Sequence, residues 1–583
     1  MKNLPNPPIS LPAQTAQLAA VLLLFGLPVA PLGLAQTQTP VRPPAQVSTP
    51  AAKLYKIAGT VTNAVTGEPV PRASVSLLED ASRDTLQTTE TGPDGEFQLE
   101  PVPAGKYPLR VARRGYHTSF FDEHDEYSSA IVTGEGQDTE HIPFRLSPGA
   151  MVHGVVTDDA GEPVEQARVL LSMKSRAGGM GEHLETIISG LTDDQGGFEF
   201  WNLIPGSYLL AVQATPWFAL HPFLSGSGPA ASQGQNNQAA ALDVAYPVTY
   251  FDGATEETAA TPFTLRSGDR AELNVALHAV PAIHLMVRSA STEDTARDSG
   301  PFAQLGQSIL GQEAMTSVGG TRPGPPGSGL VEYSGIAPGH YAVTQGDPPR
   351  TVELDATGGG SLEVDPSQGI PSVSVTVKLH MAGNTPLPAP LELVLRQESV
   401  PHRVLRASVT SDAPGRASAS FSAVGPGSWT LLAQSGDLAL AVVSIQTVKG
   451  TLQDSRIQVG DHPLSLSVVL AKGDARVEGL ALKAGVGKDG KGLPGVMVVL
   501  VPRNPAANLA LFRRDQSDSD GSFSLRDVVP GQYNVVAIED GWDLDWARPE
   551  VIGRYLPQGI AVTVTESSEK LVRLPKGVPV QAR

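Results

Sequence analysis

Three stretches of identical length repeat one pattern along the chain: TGPDGEFQLEPVPAGKYPLRV (91–111), TDDQGGFEFWNLIPGSYLLAV (192–212) and SDSDGSFSLRDVVPGQYNVVA (517–537). Gly, Phe, Gly and Tyr recur at the same four places. Such a repeat constrains the fold more than any bulk property, because each copy must be the same supersecondary unit. PDG, DQG and SDG put Gly95, Gly196 and Gly521 where a hairpin must turn with positive φ. On the strand that follows, Phe97 and Leu99, Phe198 and Phe200, and Phe523 and Leu525 alternate toward one face. A Pro/Gly turn then leads to Tyr107, Tyr208 and Tyr533, each opening another alternating strand.

Upstream lies a second repeated phrase: GTVTNAVTGEPVPRASVSLLE (59–79), GVVTDDAGEPVEQARVLLSM (154–173) and, more loosely, GLALKAGVGKDGKGLPGVMVVLVP (479–502). Each reads as a strand, a Gly-rich turn and an alternating strand with one apolar face. Two worn copies, GLVEYSGIAPGHYAV (329–343) and SDAPGRASASFSAVGPGSWTLLA (411–433), keep Gly339 with Tyr341 and Gly427 with Trp429. All five keep Gly, any residue, aromatic. The expected role of that aromatic is a corner residue, its ring in a core and its polar atom capping a turn.

The fold class is therefore all-β, a tandem array of about five Ig-like β-sandwiches. The expected limits are 53–146, 147–281 with a low-complexity loop at 225–241, 282–369, 370–472 and 473–583. The segments 282–369 and 370–472 are degenerate copies. Ahead of them we expect a signal peptide at 1–35 and a Pro-rich linker at 36–52. Loops rich in Gly, Ser, Gln or Pro between copies suggest beads on a semi-rigid string.

The pattern G-x-V-x-D-x-x-G-x-P-V-x-x-A-x-V at 154–169, followed by T-D-x-x-G-x-F and L-x-P-G-x-Y, resembles the carboxypeptidase regulatory-like domain. The resemblance is strong for 53–146, 147–281 and 473–583 and weak for the two middle segments. It implies a transthyretin-like, starch-binding-domain-like sandwich related to the B-repeats of surface adhesins. It does not imply a peptidase, since in metallocarboxypeptidases this module accompanies a separate catalytic domain.

Composition narrows the function. Lys2, the apolar run LAAVLLLFGL (18–27) and the small residues Gly33 and Ala35 have the layout of an export signal cleaved near Gln36. The apolar run is too short for the ~20 residues of a spanning helix, so no transmembrane helix is expected in the mature chain. The expected location is exported: periplasm, outer surface or extracellular. There is no cysteine, which removes disulfides and Cys-ligated metals. A net charge of -18 without a long basic run argues against nucleic acid as a partner.

Catalytic signatures are absent from the sequence. No His is followed by Glu three residues on, and there is no H-E-x-x-H, G-x-S-x-G or phosphate-loop motif. We assign no catalytic residue, no metal site and no cofactor. FFDEHDEY (120–127) reads as a solvated acidic loop, and QSDSDGSFSLRD (516–527) as a Gly-bulge turn that only partly mimics a calcium loop.

A stronger signal follows each hairpin. Nine residues beyond Tyr107, Tyr208 and Tyr533 stand Tyr116, Trp217 and Trp542; four further on stand Phe120, His221 and Trp546. An aromatic face suits the apolar C–H face of a sugar, with polar neighbours such as Asp543, Asp545 and Arg548 taking its hydroxyls. Fixed offsets suit a packed plug at the end of the sandwich equally well. Trp201 takes an outward place held by Glu100 and Arg526 in the sister copies. The function expected is that of a non-catalytic exported binding or scaffold protein of the cell envelope, with carbohydrate as ligand and polysaccharide or peptidoglycan as partner. The alternatives are a structural stalk or assembly module with an envelope protein partner, or an accessory subunit of a separately encoded envelope enzyme.

Overall fold

The computed structural model describes residues 53–583 apart from 176–182, 225–240, 289–302, 311, 317, 324–327, 347–348, 398–403, 414–415, 437–439, 449, 453–454, 484–490, 507–508 and 566–569. The expected signal peptide, the Pro-rich linker and nearly all of the 225–241 loop lie outside the described residues.

Strands dominate, and one pairing scheme recurs. In the first sandwich, strand Leu54–Asn63 lies between the hairpin strand Glu96–Pro103, antiparallel, and the last strand Ile142–Leu146, parallel. The facing sheet runs Thr85–Glu90, Ser74–Leu78, Leu109–Ala112, Ser119–Phe120. The second sandwich repeats this about Ala150–Thr157, the third about Ile283–Arg288, the fourth about Val373–Met381 and the fifth about Ala475–Lys483. Each sandwich closes around its own apolar cluster. Examples are Ile57, Val75, Phe97, Leu109 and Phe144 in the first, and Val477, Leu500, Phe523 and Val535 in the fifth.

The repeated glycine of the upstream phrase has a steric cause. Gly154 stands opposite Phe198 in the ladder, and a Cβ there would lie 2.0 Å from the Leu273 carbonyl oxygen of the parallel last strand. Gly59 meets Ile142 in the same way, at 2.1 Å. The last strand can approach only a residue without a side chain. Gly154→Ala is therefore expected to cost about 1–3 kcal/mol by forcing the strands apart, read as a lower Tm of the second sandwich in calorimetry.

The Gly-x-aromatic signature is a corner in all five copies. Tyr107, Tyr208, Tyr341 and Tyr533 donate their hydroxyls to the carbonyls of Pro103, Ile204, Ala337 and Val529, each four residues upstream, at 3.2, 2.6, 2.8 and 2.7 Å. Trp429 donates Nε1 to the Gly425 carbonyl at 2.9 Å, again four residues upstream. The ring folds back over its own turn, and a Cβ on Gly531 would lie 3.0 Å from the Tyr533 hydroxyl. Burial pushes the phenols of Tyr208 and Tyr533 up to about 12.

The sandwiches are not independent beads. Leu170, Leu209 and Tyr250 of the second pack with Ile309 and Leu310 of the third. Ala441 and Ala471 of the fourth pack with Val529 of the fifth. The first sandwich docks on the fifth: Lys106 Nζ lies 2.6 Å from Asp518 Oδ2, the amides of Ala130 and Val132 donate to Asp518 Oδ1 and Ser519 Oγ, both at 2.9 Å, and Arg526 pairs with Asp80.

Candidate functional site: aromatic segments and the clefts they line

In the fifth sandwich, strand Gly531–Glu539 ends at Asp540, whose left-handed φ turns the chain back. A 3-10 turn at Gly541–Asp543, a short helix at Pro549–Ile552 and a further turn at Leu556–Gln558 then cover the outer face of the sheet. That cover explains why strand Met497–Pro502 is apolar at every position: Val498 and Leu500 face the main core, while Met497, Val499 and Val501 face Trp546, Ile552 and Tyr555. Trp546 is 6% exposed, with the Phe512 ring 5.6 Å away and the Arg514 guanidinium 4.6 Å from its centroid.

Trp542 is half-buried, and its indole is used within the chain. The His124 ring of the first sandwich stacks on it at 5.1 Å and 8°, and Tyr127 lies over it at 6.0 Å. Arg514 also bridges this junction, 4.8 Å from the Tyr127 ring and ion-paired to Asp125 at 3.0 Å. Of the polar neighbours, exposed Asp543 pairs with Arg583 at 3.2 Å, and Asp545 pairs with Arg548 at 3.4 Å.

Elsewhere the candidates separate. Trp217 is 83% exposed, and among the described residues its ring neighbour is Phe218, edge-on at 5.9 Å. His221 is taken into the junction with the third sandwich. Its Nδ1 lies 3.0 Å from Asp243 Oδ1, while Asp243 Oδ2 meets His284 Nε2 at 2.6 Å and His284 Nδ1 meets buried Glu332 at 2.8 Å. Tyr116 is half-buried, accepts from Asn63 Nδ2 at 3.3 Å and has the Arg113 guanidinium 5.4 Å from its ring. Phe120 is half-buried beneath Arg83 at 5.6 Å.

Three clefts receive these residues. Phe120, Trp542 and Asp543 share one of about 980 Å³ among the first, second and fifth sandwiches. Trp546 lies on the wall of a larger one, about 1390 Å³, with Arg513, Arg514 and Asp515. Tyr116 and Trp201 both line a third, of about 570 Å³. Burial, then the charge of Asp518, pushes the Asp515 carboxyl up to about 7; burial also holds Asp518 above its usual range, outweighing Lys106 beside it. Among the described residues no group of His, Asp and Glu is placed to hold a metal ion.

Sequence reasoning passed over Tyr127 and Arg514 and read His124 and Asp125 as part of a solvated acidic loop, whereas both take part in the junction with the fifth sandwich. The signal available was the crowding of acids, His and Tyr at 120–127, which reads as a solvated loop until a partner surface is known. In place, Gln516 donates to Asp122 Oδ2 at 3.1 Å, and His124 Nδ1 lies 3.1 Å from Gln516 Oε1.

Residues 56–146 match the carboxypeptidase regulatory-like domain. A 95-residue stretch is 36% identical to Bacillopeptidase F of Bacillus subtilis (strain 168), covering 16% of this chain and 6% of that protein. The chain thus spans a small fraction of that relative's length. Among solved structures, the Bacillus anthracis TIE protein aligns at 12% identity and TM-score 0.17, over 73% of this chain and 76% of that one. The Streptococcal ancillary pilin aligns at 12% and 0.18, over 50% and 98%. The shaft pilin SpaA of Lactobacillus rhamnosus GG aligns at 10% and 0.18, over 39% and 98%. The carboxypeptidase regulatory-like match covers the first sandwich, whose corner and ladder the other four repeat. Among the described residues no helix is long and apolar enough to cross a membrane.

Proposed function

We propose that the chain is a non-catalytic, exported binding and scaffold protein of the cell envelope whose ligand is carbohydrate. The observation that carries this reading is the exposure of Trp217, at 83%, together with that of Trp201, at 71%. Trp201 and Trp217 are far more exposed than buried Trp429 and Trp546, and such a face suits the apolar side of a sugar. The cleft shared by Phe120, Trp542 and Asp543 offers a second aromatic wall with a carboxylate beside it. His221, Trp546, Asp545, Arg548 and Tyr116 have partners within the protein and would act by shaping these surfaces.

A second reading, a structural stalk or assembly module, is favoured by the docking of the first sandwich on the fifth, in which Trp542 and Arg514 bind the chain to itself. The two readings part on one substitution. Trp217→Ala is expected to reduce retention on insoluble polysaccharide or peptidoglycan while leaving Tm unchanged, because the ring makes little contact. If the parent chain is not retained on either and a pull-down from envelope extract recovers a defined protein, the assembly reading stands in its place.

A further inference from the structure

The cleft between the first and second sandwiches combines two features found together nowhere else among the described clefts. Three guanidinium groups, Arg113, Arg114 and Arg270, line it, and no Asp or Glu does. Among the described residues none of the three forms an ion pair with a carboxylate. Trp201, 71% exposed, and Tyr116 line the same cleft. In a chain of net charge -18 a cluster of unpaired arginines is anomalous. Arg113 lies over the Tyr116 ring, but among the described residues no carboxylate pairs with any of the three, and an anion in the cleft would do so.

The walls are fixed in position. Strand Gly197–Leu203 bulges where Trp201 and Asn202 together oppose Met151, and Asn202 takes a left-handed φ of 61°. Strand alternation places the indole outward, next to buried Phe200. The connection between the sandwiches is pinned: the amide of His117 donates to Ser147 at 2.9 Å, the amide of Gly149 donates to Gly115 at 3.2 Å, and Tyr116 bridges to Pro148. A Cβ on Gly149 would lie 2.9 Å from the Asn202 Cα, so the connection is pressed against the second sandwich. A preformed site loses little freedom on binding.

We propose that this cleft binds a carboxylated polysaccharide, one acidic sugar ring stacking on Trp201 while Arg113, Arg114 and Arg270 take the carboxylates of that ring and its neighbours. The proposal rests on the carbohydrate reading above and adds to it the charge of the ligand and the place where it binds. A planar guanidinium fork matches a carboxylate, and the indole supplies the apolar contact that a simple ion pair lacks. The attraction is local: at physiological salt, charges farther than about 8 Å are screened, so the acidic remainder of the chain does not cancel it.

The test uses the full chain in affinity electrophoresis against polygalacturonate and against the same polymer fully methyl-esterified, which keeps the rings and removes the charge. We expect retention on polygalacturonate, weakening as NaCl is raised, and little on the ester. Trp201→Ala and the double variant Arg113→Gln with Arg270→Gln should each weaken binding at least about tenfold, with Tm unchanged. Equal retention on the two polymers, variants that bind like the parent, or binding to neutral polysaccharide alone would overturn this site and leave the carbohydrate reading standing. A parent chain that binds no polysaccharide, acidic or neutral, removes both.

Discussion

Trp429→Ala should destabilise the fourth sandwich by about 3–5 kcal/mol, the range for deleting a fully buried large aromatic. Trp429 is 1% exposed and packs in the cluster that holds Leu393, Leu431 and Val468. Its loss leaves a cavity and also strands the Gly425 carbonyl that it caps. The control is Trp429→Tyr, which restores the residue that the other four copies carry and should recover most of the loss. Calorimetry of the full chain checks both, read as the shift of the transition in which the fourth sandwich melts. If Trp429→Tyr melts as early as Trp429→Ala, the ring's bulk matters and the corner hydrogen bond does not.

Asp515→Asn is expected to stabilise the protein at pH 8 and to do much less at pH 5. With the folded carboxyl up at about 7 against an ordinary 3.8, the folded state prefers the neutral acid. Stability from this group is full below pH 4 and is lost as pH rises through about 7. At pH 8 the side chain is ionised in both states, and the folded protein bears a penalty of about 2–4 kcal/mol. Asparagine carries no charge to desolvate and retains an oxygen for the Ser524 amide, which donates to Asp515 at 2.6 Å. Thermal melts of both proteins at the two pH values decide it. An offset of the same size at pH 5 and pH 8 would mean that the gain comes from packing rather than from ionisation.

What could be read from the residues was local. The Gly, Phe, Gly, Tyr phrase names a hairpin and a corner because each partner lies within a few positions: the capped carbonyl is four residues from its ring in every copy. The outward place of Trp201 followed from strand alternation, and the ring is indeed in solvent. What could not be read was contact at long range. Lys106 and Asp518 are 412 positions apart, and no periodicity links them. The acidic run at 122–126 and the loop beginning at Gln516 each look like solvent-facing turns alone, and become one junction only when the two ends of the described chain meet. The same blindness applied to the arginines of the third cleft, since Arg113 and Arg114 reach Arg270 only through the docking of two sandwiches.

The parallel pairing of first and last strands has a mechanical consequence. The chain enters each sandwich at the start of one strand and leaves at the end of its neighbour, as with Val375–Met381 beside Leu464–Leu470. A pull on the two ends therefore slides these strands along one another, and their ladder bonds share the load and fail together. In an antiparallel neighbour pair the same pull would peel the bonds one at a time. Each sandwich is thus loaded in shear, not peeled, when the chain is drawn out from its ends.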